Sequence, residues 1–181
     1  VAASSALIGS TLSAGSATSV YTSRPAVISV AALSESVAVV CYIRDYSSDS
    51  LYCTRLDVSS GGVLSVGSSV SIDSNLASFP SVAGLSSSYA VVCYRTSGRT
   101  SYSPASCKLL YTFGSTSMNA GSATSINSGA YTNYPSVAAF DSTSAIVCFE
   151  DDPAVTRLHA GCGHQMCLEC WRRLPVTHAA L

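Results

Sequence analysis

Short apolar segments alternate with polar clusters along most of the chain. The apolar segments are rich in Val, Ile, Thr and Tyr, and clusters of Gly, Ser, Asn and Asp separate them. Such alternation is typical of strands and turns, and no helical periodicity interrupts it. One representative stretch predicts strands near residues 29–33, 36–44, 50–58 and 63–72, with turns at 34–35, 45–49 and 59–62. We therefore expect an all-β fold of antiparallel strands.

This strand pattern repeats along the chain. The related strings AVVCY, AVVCY and AIVCF occupy residues 38–42, 90–94 and 145–149. Their cysteines, Cys41, Cys93 and Cys148, are 52 and 55 residues apart by subtraction. The predicted units are a partial one at 1–27, complete ones at 28–79 and 80–134, and the start of another at 135–149. Because fewer than three units are complete, we expect an open edge or a longer parent protein.

Four antiparallel strands per unit and a period near 50 residues are typical of β-propeller blades. The strings SVAALSESVAVVCY and SVAGLSSSYAVVCY also resemble the Ser-rich propeller-like repeats of bacterial, phage and algal proteins. This resemblance covers about residues 1–149. It implies an architecture, a partial β-propeller of tandem four-stranded blades, and no particular activity.

The charge of the chain limits its partners. Only 10% of the residues are charged and the formal net charge is -1, so no basic excess is available to neutralise phosphates. We therefore expect no nucleic-acid binding. No apolar run approaches the roughly 18 residues that a membrane span requires, so we also expect no membrane partner. Neither a nucleophile elbow nor a phosphate-binding glycine loop occurs, and no catalytic residue is predicted.

The composition changes after Ser144, where serine disappears from the chain. All three histidines and the single tryptophan lie in residues 145–181, which we interpret as a separate segment following repeats at 1–144. This segment contains the spacing C-x-H-x-x-C-x-x-C, formed by Cys162, His164, Cys167 and Cys170. Thiolate and imidazole ligands two or three residues apart can enclose a tetrahedral ion, so the spacing predicts Zn²⁺ as a cofactor.

These residues resemble the middle section of the RING-type zinc finger, which often begins with the CGH found at 162–164. The resemblance implies a further ligand at Cys148, a position where the repeat also places a cysteine. The residues after the knuckle, 171–174, resemble the short helix that follows in the first RING of RING-between-RING ligases, and Pro175 would end it. By that family's mechanism, the finger positions a ubiquitin-charged conjugating enzyme and forms no covalent intermediate.

The chain departs from the RING pattern in two places. The first cysteine of the initial pair is replaced by Ala145, and no C-x-x-C follows Cys170. Each of the two zinc sites is therefore short of ligands unless His178 or a partner chain completes it.

Four other cysteines fall opposite each other in the predicted hairpins. Cys41 faces Cys53, and Cys93 repeats the arrangement with Cys107. These are either buried thiols of a protein in a reducing compartment or disulfides of a secreted protein. The zinc-finger-like tail favours the thiols and a cytoplasmic location, whereas disulfides would indicate secretion.

Two hypotheses for the function remain open. In the first, the chain belongs to a zinc-binding RING-type E3 ubiquitin ligase, in which the repeats form a protein-binding scaffold and the finger recruits the conjugating enzyme. In the second, the chain is a non-catalytic β-propeller scaffold with a vestigial or chimeric tail, and its partner is a protein or a glycan.

Overall fold

The computed structural model describes residues 2–3, 6–8, 12–23, 25–44, 49–96, 103–114, 116–126, 131–152 and 172–175. Every regular element in these ranges is a β-strand, which confirms the all-β prediction. Among the short N-terminal strands, β1 (Ala2–Ala3) pairs with β4 (Thr18–Ser19), and β2 (Ala6–Ile8) pairs with β3 (Leu12–Ala14). Within these ranges, no helix is long and apolar enough to cross a membrane.

Three larger antiparallel sheets follow, numbered here in chain order. The first sheet contains, in spatial order, β5 (Ala26–Ala32), β6 (Val37–Ile43), β7 (Leu51–Val58) and β8 (Leu64–Asp73). The second contains β9 (Ala77–Ser86), β10 (Tyr89–Thr96) and β11 (Ala105–Phe113), with β12 (Ser117–Ala120) and β13 (Thr124–Ser125) both paired to β11. The third contains β14 (Tyr131–Asp141), β15 (Ser144–Asp152) and β16 (Arg172–Pro175). All four strands predicted for the first complete unit are present, but the described sheets do not close into a ring.

The last strand differs from the sequence prediction. The helix expected over 171–174 is wrong, because Arg172–Pro175 is strand β16 and pairs antiparallel with residues 144–147 of β15. The edge of a two-stranded hairpin presents unpaired backbone N–H and C=O groups, and an added strand satisfies them. Strand β15 itself extends through the predicted boundary at residue 144.

Side chains alternate between two faces along the first strand of each sheet. We call the face that carries Val30, Val82 or Val137 the leading face of its sheet. We call the opposite face, which carries Ser29, Ser81 or Ser136, the trailing face. The leading face of the second sheet packs on the first sheet, and its trailing face packs on the third.

Two apolar clusters hold the sheets together. The first cluster joins the trailing face of the first sheet to the leading face of the second, and includes Val39, Cys41, Val82, Val92 and Tyr94. The second joins the second and third sheets, and includes Val91, Cys93, Cys107, Val137 and Val147. Full burial of a side chain as large as valine stabilises the fold by roughly 1.5–3 kcal/mol, so these clusters fix how the sheets stack.

Candidate binding surface

A β-bulge recurs at the same position in all three sheets. In the first sheet, Ala26 pairs with Ile43 and Ile28 pairs with Tyr42, which leaves Val27 as an extra residue on β5. The second and third sheets shift register at the equivalent place, between residues 78 and 81 and between residues 133 and 136. Bulges bend a strand and change the direction of its side chains, and they are common next to functional sites.

One residue of each bulge has a left-handed backbone. The φ angles are 39° at Val27, 51° at Phe79 and 45° at Tyr134, and none of these residues is glycine. This conformation is unusual for L-residues, and most of all for a β-branched valine. A backbone of this kind persists only where the surrounding structure imposes it, and it is concentrated at ligand and active sites. The three bulges therefore mark one end of the sheets as a candidate functional surface.

The bulge residues of the second and third sheets bring two aromatic rings together. The ring centroids of Phe79 and Tyr134 are 4.4 Å apart. Tyr134 is 60% exposed, and Val27 at the first bulge is 45% exposed. Large side chains that remain this exposed after folding are available to contact a partner.

Arg95 connects the second and third sheets beside these rings. Its guanidinium lies 5.0 Å from the centroid of the Phe79 ring. Its Nε donates to Oγ of Ser78 at 2.9 Å, and its Nη1 donates to Oδ1 of Asn133 at 2.6 Å. Hydrogen bonds and a cation–π contact thus hold the arginine in one orientation next to the exposed tyrosine.

A second arginine lies at the same end of the first sheet. The Nε of Arg44 donates to the Tyr21 hydroxyl at 3.0 Å, and its guanidinium lies 5.2 Å from the Tyr21 ring and 5.0 Å from the Tyr52 ring. The hydrogen bond to Tyr21, followed by the one to Tyr52, raises the pKa of Arg44 above its ordinary value. Arg44 is exposed and remains charged. We call the surface formed by Val27, Arg44, Phe79, Arg95 and Tyr134 the bulge end.

The chemistry of the bulge end suits binding. Tyrosine and arginine are enriched among the residues that carry most of the free energy of protein–protein binding. Nearby, burial and then the carboxylate of Asp73 raise the pKa of the Tyr94 phenol well above its usual range. That phenol stays protonated at neutral pH, so it does not suit the role of a general base.

The predicted cysteine pairs are disulfides, so their interpretation as buried thiols is wrong. Cys41 is bonded to Cys53, and Cys93 is bonded to Cys107. In both pairs, the cysteines lie directly opposite each other on neighbouring strands, with Cα atoms 4.0 and 4.1 Å apart. The predicted register of both hairpins is confirmed.

Cys148 occupies the same position in the third sheet. It pairs with Ser136 as Cys41 pairs with Ser29 and Cys93 pairs with Ser81. It is a free, half-buried cysteine on the trailing face. The repeat accounts for its position, and its role as a zinc ligand stays a prediction.

The other predicted ligands, Cys162, His164, Cys167 and Cys170, lie outside the described residues. The binding of Zn²⁺ by these residues therefore stays a prediction. Among the residues that it describes, no group of three or more His, Cys, Asp and Glu side chains is placed to hold a metal ion. Strand β15 ends at the bulge end, since Glu150 pairs there with Asn133.

No protein-family model, curated protein or solved structure matches the chain. The geometry of the repeats therefore carries the functional argument. Sequence reasoning missed the bulge end, although a signal was present. Pro80 and Pro135 follow Phe79 and Tyr134 directly, and a proline inside a strand marks a bulge or an edge.

Proposed function

We propose that the chain is a non-catalytic binding scaffold whose sheets are blades of a β-propeller. The support comes from repetition within the molecule. Two antiparallel sheets of four or more strands and the start of a third follow each other in chain order and stack face to face. Propeller blades have this strand number, and their sequence period is close to the one observed.

The partner is a protein that binds the bulge end. The observation that carries this proposal is the recurrence of the bulge with a left-handed residue in three sheets, two of them presenting aromatic rings next to a fixed arginine. A surface of rigid aromatic and guanidinium groups needs little ordering on binding, which favours affinity. A glycan is the alternative partner and would stack on the same rings. The affinity-capture experiment described below distinguishes a glycan partner from a protein partner.

Two disulfides support an oxidising location for this scaffold. Disulfides persist in secreted and extracellular proteins and are rare in the cytosol. We therefore replace the cytoplasmic expectation with secretion as the proposal. Free-thiol labelling of protein taken directly from cells or medium tests it, since Cys41, Cys53, Cys93 and Cys107 are expected to resist labelling until a reductant is added.

Affinity capture from the secreted proteins of the source cells tests the binding surface. The test variant carries Arg44→Ser and Tyr134→Ser, two exposed positions at the bulge end. The matched control carries Phe113→Ser, because Phe113 is 56% exposed at the opposite end of the second sheet.

A protein retained by the wild type and the control, but not by the test variant, would support the proposal. A photo-crosslinking residue at 134 should then capture that protein, and one at 113 should not. Equal retention by all three forms would refute it, and binding of a purified glycan alone would replace the protein with a glycan.

The RING-type ligase remains a second proposal, favoured by one specific observation. The repeat does not account for His164, Cys167 and Cys170, because the equivalent positions of the preceding unit hold Leu109, Thr112 and Ser115. Cys162, His164, Cys167 and Cys170 would hold Zn²⁺ structurally, and the bound ion would stabilise the tail. The disulfides weigh against this proposal, since the ubiquitin-conjugating machinery would require the cytosol.

Zinc content measured by mass spectrometry separates the two proposals. The intact chain is compared with the His164→Ala, Cys167→Ala double variant, both purified without chelator. About one zinc ion per chain, lost in the variant, would support a metal-binding tail and justify an assay of ubiquitin discharge from a conjugating enzyme. No zinc in either protein would remove the ligase proposal and leave the scaffold intact.

A further inference from the structure

The two contacts between neighbouring sheets use the same hydrogen bond. The backbone N–H of Val82 on the second sheet donates to Oγ of Ser29 on the first, at 3.0 Å. The N–H of Val137 on the third sheet donates to Oγ of Ser81 on the second, also at 3.0 Å. A trailing-face serine and a leading-face valine thus form a contact that repeats from sheet to sheet.

The same positions are uncovered at the two ends of the stack. Val82 and Val137 are 6% and 8% exposed, whereas Val30, their equivalent on the first sheet, is 64% exposed. On the trailing side, Leu85 of the second sheet is 8% exposed, whereas Phe140 at the equivalent position of the third sheet is 65% exposed. The leading face of the first sheet and the trailing face of the third are therefore two halves of a contact that is complete inside the molecule.

Neighbouring residues define these two end faces further. Ile28 is 51% exposed, whereas its equivalent on the second sheet, Pro80, is buried. Ser136 and Ala138 on the third sheet are exposed, whereas Ala83, the equivalent of Ala138, is buried. On the leading side the exposed side chains lie on β5, because Val40 and Tyr42, which share this face on β6, are buried.

From this complementarity we infer that a second copy of the chain docks head to tail on the first. The leading face of its first sheet, with Ile28 and Val30, packs on the trailing face of the third sheet, with Ser136, Ala138 and Phe140. The N–H of Val30 then donates to Oγ of Ser136 across the interface, as the internal contacts do. The occupant is a copy of this chain because the chain itself carries both halves, and each half matches a partner already present within the molecule.

Two copies would form a closed assembly. The described residues of each copy form three larger sheets, so two copies supply at least six, and closed propellers have four to eight blades. This step rests on the proposed propeller architecture, whereas the contact itself does not. A head-to-tail interface that returns to its start forms a ring, and one that does not return forms a filament. The residues of both end faces named above are uncharged, so no charge repulsion opposes their contact.

Sedimentation velocity on the intact chain, over a range of concentrations, tests the inference. Val30→Asp blocks the leading face and Ala138→Asp blocks the trailing face, and both side chains are exposed in the single chain. Val63→Asp is the matched control, because Val63 is 68% exposed and lies outside both end faces. A carboxylate buried without a partner is expected to weaken association by about a hundredfold or more. Near-ultraviolet circular dichroism and thiol counting show whether each variant remains folded and oxidised.

The expected result is a dimer for the wild type and for Val63→Asp, and a monomer for each end-face variant alone. Mixing Val30→Asp with Ala138→Asp should restore dimers, since one intact interface remains in the mixed pair. A misfolded variant would not be rescued in this way. A monomeric wild type, or a mixture that stays monomeric, would overturn the inference. So would a Val30→Asp variant that still forms dimers. None of these outcomes affects the bulge-end proposal, which concerns other residues.

Discussion

The second and third sheets begin with nearly the same sequence and differ in what surrounds it. Residues 80–83 and 135–138 share the string PSVA, and each is followed by a strand that carries a cysteine. In the second sheet, Cys93 is bonded to Cys107 and both faces of the sheet are covered. In the third sheet, Cys148 is free and half-buried.

The third strand accounts for this difference. In the second sheet, β11 pairs with β10 over residues 89–95 and places Cys107 opposite Cys93. In the third sheet, β16 takes the equivalent place, and its described residues pair with residues 144–147 of β15 and so do not include a partner for Cys148. The repeated string therefore specifies a hairpin, whereas the chemical state of its cysteine depends on a strand that the string does not contain.

Removing the disulfide of the second sheet should have the largest effect on stability. The Cys93→Ser, Cys107→Ser double variant is expected to lose about 3 kcal/mol of unfolding free energy, because the bond closes a loop with a sequence separation of 14. Urea denaturation measures the loss. Cys148→Ser is the control and should change the unfolding free energy by less than about 0.5 kcal/mol. Equal effects of the two variants would show that the third sheet also depends on a cysteine bond.

Sequence reasoning located the strands because their determinants are local. Alternation of side chains along a strand and turn residues between strands lie within a few positions of each other. That was enough to place Cys41 opposite Cys53 and Cys93 opposite Cys107. The sequence left thiols and disulfides as alternatives for these pairs, and the composition of the tail favoured thiols, whereas both pairs are disulfides.

The bulge end could not be predicted to the same extent. Its geometry depends on contacts between sheets, such as the hydrogen bond from Arg95 to Asn133, and these residues are 38 positions apart in sequence. The left-handed backbone of Phe79 and Tyr134 likewise depends on neighbours that no local pattern specifies. The opposite holds for Cys162, His164, Cys167 and Cys170. Their spacing in the sequence predicts a metal site by itself, and their binding of Zn²⁺ stays a prediction.

Gly84 and Ala139 occupy the same position of the repeat, and exchanging their side chains tests how far the surroundings of the two positions differ. A Cβ atom at Gly84 would overlap the carbonyl oxygen of Ala32, because the first sheet packs closely there. Gly84→Ala is therefore expected to cost about 2 kcal/mol, the cost of overpacking a buried contact. Ala139 is exposed, so Ala139→Gly should cost only about 0.5–1 kcal/mol through backbone entropy. Urea denaturation of both variants compares the two costs. Equal costs would mean that the close approach at Gly84 relaxes.

The equivalent valines of the first and second sheets permit a test with one substitution. Val82→Ala removes apolar area from the core between the first two sheets and is expected to cost about 1.5 kcal/mol. Val30→Ala should cost less than about 0.5 kcal/mol at concentrations where the chain is a single copy, because that side chain is already exposed. Thermal unfolding of Val30→Ala at low and high protein concentration compares its cost in the single chain with its cost in an associated form. A cost at Val30 that appears only at high concentration would agree with the head-to-tail contact.

The turn that joins the first two strands of each sheet offers the smallest and most specific test. Ser34 and Ser86 accept a hydrogen bond from the backbone N–H two residues later, both at 3.3 Å, and Asp141 accepts the corresponding bond from Thr143 at 2.7 Å. A hydrogen bond from Ser144, followed by those from Thr143, lowers the pKa of Asp141 from 3.8 to about 2. Because the folded pKa lies below the ordinary value, this turn is most stable above about pH 4, and the stabilisation is lost as the pH falls towards 2.

NMR titration should place the Asp141 midpoint near pH 2. Asp141→Ser, which introduces the serine found in the other two sheets, should remove this pH dependence. A midpoint near 3.8 would show that the carboxylate gains nothing from the turn in solution.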